Sequence, residues 1–142
     1  KYLVNFYGEE PSSSLHRGGT DRLLVCWHLE ASPIEPPARA ESLTILKIDE
    51  HLHPRRLAIR PEAKALAIEI PGGGYDPPGM ISEWRLATRE AFQSALEAGY
   101  IVAGFAPTDD GGWRYSLIRP APQQSKPRSE QPAADATDSR GA

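Results

Sequence analysis

Between residues 65 and 118 the spacing of apolar positions changes from continuous to helical and back, and these changes predict a strand, a helix and two further strands. Ala65, Leu66, Ala67 and Ile68 form an unbroken apolar run that ends in Glu69, Ile70 and Pro71. Residues 79–98 contain no proline, and Ile81, Trp84, Thr88, Ala91, Phe92, Ala95 and Leu96 recur on one side at helical spacing. Gly99 stands where a left-handed C-cap belongs. Residues 100–106 and 113–118 then read as strands joined by a tight turn at 109–112, a hairpin. A strand, a helix and a strand within about 40 residues is the length of a crossover unit, which places residues 65–70 and 100–106 parallel. Trp84 and Phe92 are expected to be buried against those two strands.

The remainder of the chain is less regular. Residues 2–7 alternate and are rich in aromatic and branched side chains, which suits a strand ended by Gly8, Pro11 and three serines. Residues 22–29, with Leu23, Leu24, Val25, Cys26 and Trp27, are apolar enough for a central strand covered on both faces. Pro33, Pro36 and Pro37 make residues 30–41 a linker crossing the surface, and residues 42–48 alternate weakly as a further strand. Residues 49–61 show little pattern around Pro54. Residues 120–142 hold almost nothing large and apolar, so a disordered tail is expected there. The fold class is therefore α/β with a mixed sheet, in which residues 42–119 supply a strand-helix-hairpin unit.

Composition narrows the partners more than the chemistry. With 142 residues, 39% of them hydrophobic, the chain can bury one core, while 14 prolines and 12 glycines require irregular segments around it. A net charge of -3 gives no clustered basic surface for nucleic acid or anionic membrane, which leaves small molecules, proteins or a second copy of the chain as partners. No apolar run is long enough to span a bilayer. Cys26 is the only cysteine, so neither an internal disulfide nor a cysteine-rich zinc site can form, and a reducing cytoplasmic setting fits. Because the chain opens on Lys1 and directly on a strand-like run, the natural polypeptide is expected to begin earlier.

The clearest polar constellation is Arg85 and Arg89, four residues apart and so on one side of the helix. Such a pair either clamps a carboxylate or phosphate of a substrate or pairs internally with Glu90, Glu97 or Glu69. Asp21 either binds substrate, caps a strand or orients an arginine. His16, in a glycine-rich loop, is a candidate general base near neutral pH or a solvated loop residue. His51 and His53 have metal-like spacing but no third ligand nearby, so no metal is expected. The three glycines after Pro71 lack the Lys-Ser/Thr pair of a phosphate loop and read as a connector.

In order, NFYGEE, LHRGGTDRLLV, WHL, IEIP, WRLATREAF, EAGYIVAGF and WRYSLI resemble the C-terminal region of predicted bacterial acetyltransferases of the GNAT superfamily. The family-like positions are Asn5, Tyr7, Gly8, Ser14, Leu15, His16, Thr20, Asp21, Arg22, Trp27 and Leu29, and the resemblance covers residues 1–119. It implies that residues 1–29 end an acetyltransferase core, that 30–41 is a linker and that 42–119 is a family-specific α/β extension. The implied activity is acyl transfer from acetyl-CoA, as cosubstrate, to a small acceptor. Tyr7 would donate a proton to the leaving thiolate, with His16 as base, unless Tyr7 only packs in the sheet. The glycine-rich loop that holds acetyl-CoA in the superfamily is absent from these residues and is expected upstream. The alternative is a non-catalytic α/β module that binds a small anionic ligand or a partner chain.

Overall fold

A computed structural model describes residues 1–8, 19–26, 34–72 and 78–120. Two short strands, β1 (Tyr2–Leu3) and β2 (Arg22–Leu23), form an antiparallel ribbon. The main sheet contains β3 (Leu43–Ile48), β4 (Pro54–Arg56), β5 (Ala65–Ile70), β6 (Ile101–Pro107) and β7 (Trp113–Ile118), in the order β4-β3-β5-β7-β6. One helix, α1 (Pro78–Glu97), covers one of its faces. The architecture is α/β with a mixed sheet: β3 and β5 are parallel and the other pairs antiparallel.

The central strand is β5, not residues 22–29. Its apolar run is buried from Ala65 to Ile68, with β3 on one side and β7 on the other. Of the expected strand 22–29 the described residues are 22–26, and these do not form a central strand, because their pairing is confined to the ribbon. Beyond Leu23 only the bonds exchanged between Lys1 and Leu24 continue the ladder, and Leu24 and Val25 are exposed. Cys26 is likewise exposed and outside any strand, and Trp27 lies outside the described residues. The strand read over residues 2–7 also stops early, at Leu3. Asn5 adopts φ +47°, a left-handed conformation asparagine tolerates, and the chain turns. Thr20, fully buried, fastens that turn: its carbonyl accepts from Phe6 N, and its hydroxyl accepts from Tyr7 N and donates to Gly8 O.

The crossover from β5 through α1 to β6 does place its two strands parallel, but β7 is inserted between them and pairs antiparallel with both. As a result α1 lies over β3, β4 and β5 rather than over β5 and β6, and it also touches β1. Trp84, Ala91, Phe92 and Ala95 from α1 pack with Leu46, Leu66, Ile68 and Leu117 from the sheet. Tyr2 stacks on Phe92 at 5.4 Å between centroids, and Phe92 meets Tyr115 edge-on at 5.0 Å, so the ribbon shares this core. The Trp84 indole donates to Leu52 O at 2.9 Å, tying the helix to the β3–β4 turn.

The helix ends as its sequence requires. Tyr100 N donates to Ala95 O and Gly99 N to Leu96 O, the paired bonds of a Schellman cap, with Gly99 at φ +85°. Gly99→Ala would place a Cβ in the left-handed region, so it should lower stability by about 1 kcal/mol in urea denaturation. A midpoint unchanged by that substitution would mean the cap is not under this constraint.

Candidate functional site

The ribbon, the first turns of α1 and the ends of β5 and β7 border an open pocket of ≈ 330 Å³. Tyr2, Asp21, Trp84, Arg85, Thr88 and Tyr115 line it, with Gly19, Ile70 and Pro71 completing the wall. Helical spacing accounts for the α1 contribution. Trp84 and Thr88 turn toward the core side, and Arg85 and Arg89 stand at its edge, where the ribbon meets the helix.

The two arginines do different things. Arg89 grips Asp21 through its Nε and Nη2, each 2.9 Å from a different carboxylate oxygen, the side-on bidentate geometry of a strong ion pair. Asp21 also accepts from Asn5 N and from the Tyr2 hydroxyl, both at 3.0 Å. Burial of Asp21 pushes its carboxyl upward, but the bonds from Arg89, Asn5 and Tyr2 outweigh it and hold the group below its usual range. The Tyr2 hydroxyl is shifted well upward, first by burial and then by its bond to Asp21. Asn5 Oδ1 accepts from Arg89 Nη2 at 3.2 Å and from Arg85 Nη1 at 3.3 Å. Its left-handed turn thus joins both arginines to the ribbon.

Arg85 is held more loosely. Among the described residues its buried Nε has no hydrogen-bond partner, and its side chain makes a long contact to Asn5. The end of the side chain lies against Gly19, where a Cβ would come within 2.4 Å of Arg85 Cδ. A side chain there would displace Arg85 from this position, and the φ of +98° at Gly19 favours glycine. Arg85 is therefore a cation directed along the pocket wall, beside an acid already neutralised by Arg89. Tyr115, whose hydroxyl is pushed upward by burial, closes the apolar side. Its ring continues outward through Phe105 (4.4 Å) to Trp113 (5.0 Å from Phe105), both well exposed.

Of the residues singled out in the sequence, Asp21, Arg85 and Arg89 come together here. Of the acids considered as arginine partners, Glu90 pairs with Arg56 and Glu69 with Arg39. Tyr7 is exposed rather than packed in the sheet, and it lies outside the pocket lining with Arg22 above its ring at 5.3 Å. It left the sheet because the turn at Asn5 precedes it. His16 falls outside the described residues. His53 pairs with Glu83 at 2.8 Å, and among the described residues no group of three or more His, Cys, Asp or Glu side chains gathers as a metal site. The pattern of the sequence did not single out Tyr2, Gly19 or Tyr115 as site residues. The run Asn5-Phe6-Tyr7-Gly8 was a turn signal that could have pointed to Asn5. Among the described residues no helix is long and apolar enough to cross a membrane. Compared with family models, curated proteins and solved structures, the chain finds no match.

Proposed function

We propose that the pocket beneath the ribbon binds a small anionic ligand, with Arg85 as its charged contact and Trp84, Ile70 and Tyr115 as its apolar walls. The observation that carries this reading is the buried, unpartnered Nε of Arg85 on a pocket whose one carboxylate is already held by Arg89. A guanidinium with an unused donor favours carboxylate or phosphate, and the volume suits a ligand of small-metabolite size. Arg89, Asp21 and Asn5 position the wall rather than touch the ligand.

The motif order that resembles GNAT acetyltransferases supports a wider form of the same reading, in which the chain is part of an acyltransferase and this pocket takes the acceptor. Acetyl-CoA is then held by residues outside this chain, and the proton-handling roles of Tyr7 and His16 belong to that wider reading.

Isothermal calorimetry with inorganic phosphate and with benzoate tests the narrower claim. Arg85→Gln should weaken binding roughly 10- to 100-fold, as expected for a charge-assisted hydrogen bond, with little change in the melting temperature. Equal binding by the parent protein and the Gln variant would dismiss Arg85 as the ligand contact.

A further inference from the structure

The face of the sheet turned away from α1 holds another arginine with buried donors that find no hydrogen-bond partner among the described residues. Arg114 alternates along β7 with Tyr115, which faces the helix core, so it projects to the opposite side, across from Glu69 of β5 and Ala106 of β6. The segment before β3 crosses that side, and Pro36 sits so close to Gly104 that a Cβ there would lie 2.7 Å from Pro36 Cγ. Beneath it a cavity of ≈ 240 Å³ is lined by Pro36, Pro37, Arg39, Thr108, Arg114 and Ser116, with Asp109 also on its wall. Arg114 is only 8% exposed, and both its Nε and its Nη2 are buried with no hydrogen-bond partner among the described residues.

We propose that Arg114, assisted by Arg39, forms a binding site for a single carboxylate on this second face. Nε and Nη2 make up the same edge of the guanidinium by which Arg89 grips Asp21, and that edge matches the two oxygens of a planar carboxylate. The charges present limit the occupant to a monoanion. Arg39 and Arg114 face Glu69, engaged by Arg39 at 3.2 Å, and Asp109 on the wall, so the four groups balance and anything more highly charged is opposed. Pro36 and Pro37 give the occupant an apolar roof, and the Thr108 and Ser116 hydroxyls stand on the same lining. Burial lowers the Arg114 pKa, with Glu69 acting in the opposite sense, as expected for a cation held out of water with incomplete compensation.

The test is thermal denaturation of the full chain carrying Arg85→Gln, so that the pocket beneath the ribbon does not contribute. Sodium propionate, or a blocked dipeptide with a free C-terminal carboxylate, is compared with sodium chloride at equal ionic strength. The site predicts a rise of a few degrees at carboxylate concentrations well above the dissociation constant. A larger response to the dipeptide would point to a chain terminus as the source, and an equal response to a free acid. Adding Arg114→Met should abolish the rise without lowering the melting temperature in chloride, because replacing an unpartnered buried charge by an apolar side chain is neutral or stabilising. Should that variant not fold, Arg39→Gln, at an exposed position, should still reduce the rise. No rise in the Arg85→Gln protein, or the same rise with Arg114→Met, would overturn the proposal, and neither result bears on Arg85.

Discussion

Trp84→Ala is expected to lower the melting temperature by roughly 10 to 20 °C, the largest effect of any single truncation in α1. Trp84 is 7% exposed and fills the junction of α1 with the β3–β4 turn, where its indole is bonded to Leu52 O. Truncation to alanine removes the ring and that bond together. Phe/Trp→Ala changes in cores cost about 3 to 5 kcal/mol, and each kcal/mol corresponds to roughly 4 °C in a domain of this size. The change also removes one wall of the pocket, so ligand binding should fall with stability. A thermal melt displaced by only a degree or two would show that the α1–turn junction contributes little to the fold.

Asp21→Asn should be nearly as damaging. The Asp21 side chain is 7% exposed and is the acceptor for Arg89, Asn5 N and Tyr2. Asparagine keeps the shape but leaves the Arg89 guanidinium without its counter-charge, and breaking a buried pair in this way costs roughly 3 kcal/mol. The pH dependence carries an independent signature. The folded-state pKa of Asp21 is depressed, so its contribution is fully present above the unfolded value near 4 and is lost as pH falls through the folded value. Stability of the parent protein should therefore decline below about pH 4, and the decline should be shallower in Asp21→Asn. Equal acid sensitivity of the two proteins would remove Asp21 from the account.

What could be read from the sequence was local. The period of α1, its stop at Gly99 and the β6–β7 hairpin follow from side-chain spacing and turn chemistry, which act within a few residues. The insertion of β7 between β5 and β6 does not, because strand order is decided by pairing across the whole sheet. Strand β4 was equally hidden: Pro54, Arg55 and Arg56 have no strand-like alternation, and they pair with β3 because the edge accepts a proline. Residues 22–26 show the opposite failure, since an apolar run satisfied the strand pattern but found a partner only over the ribbon.

The site was legible as residue types and not as partnerships. Asp21 read as a residue that orients an arginine and Arg89 as one of a paired set, yet 68 positions separate the two. Among the acids considered as partners, Glu90 on the helix is taken by Arg56 of β4, and Glu69 of β5 by Arg39 from the segment before β3. Arg85 and Arg89 look equivalent in the sequence. The difference between them comes from Gly19 and Asn5, which the ribbon brings against the helix.

That difference is the central claim, and each arginine's own side-chain signal tests it most directly. In nitrogen-resolved NMR of the labelled chain, the Arg85 Nε–Hε resonance should shift progressively as phosphate or benzoate is added. The Arg89 Nε–Hε resonance, bonded to Asp21, should stay in place and exchange slowly with solvent. A ligand-dependent shift of Arg89 with Arg85 unmoved, or no response from either, would contradict the account.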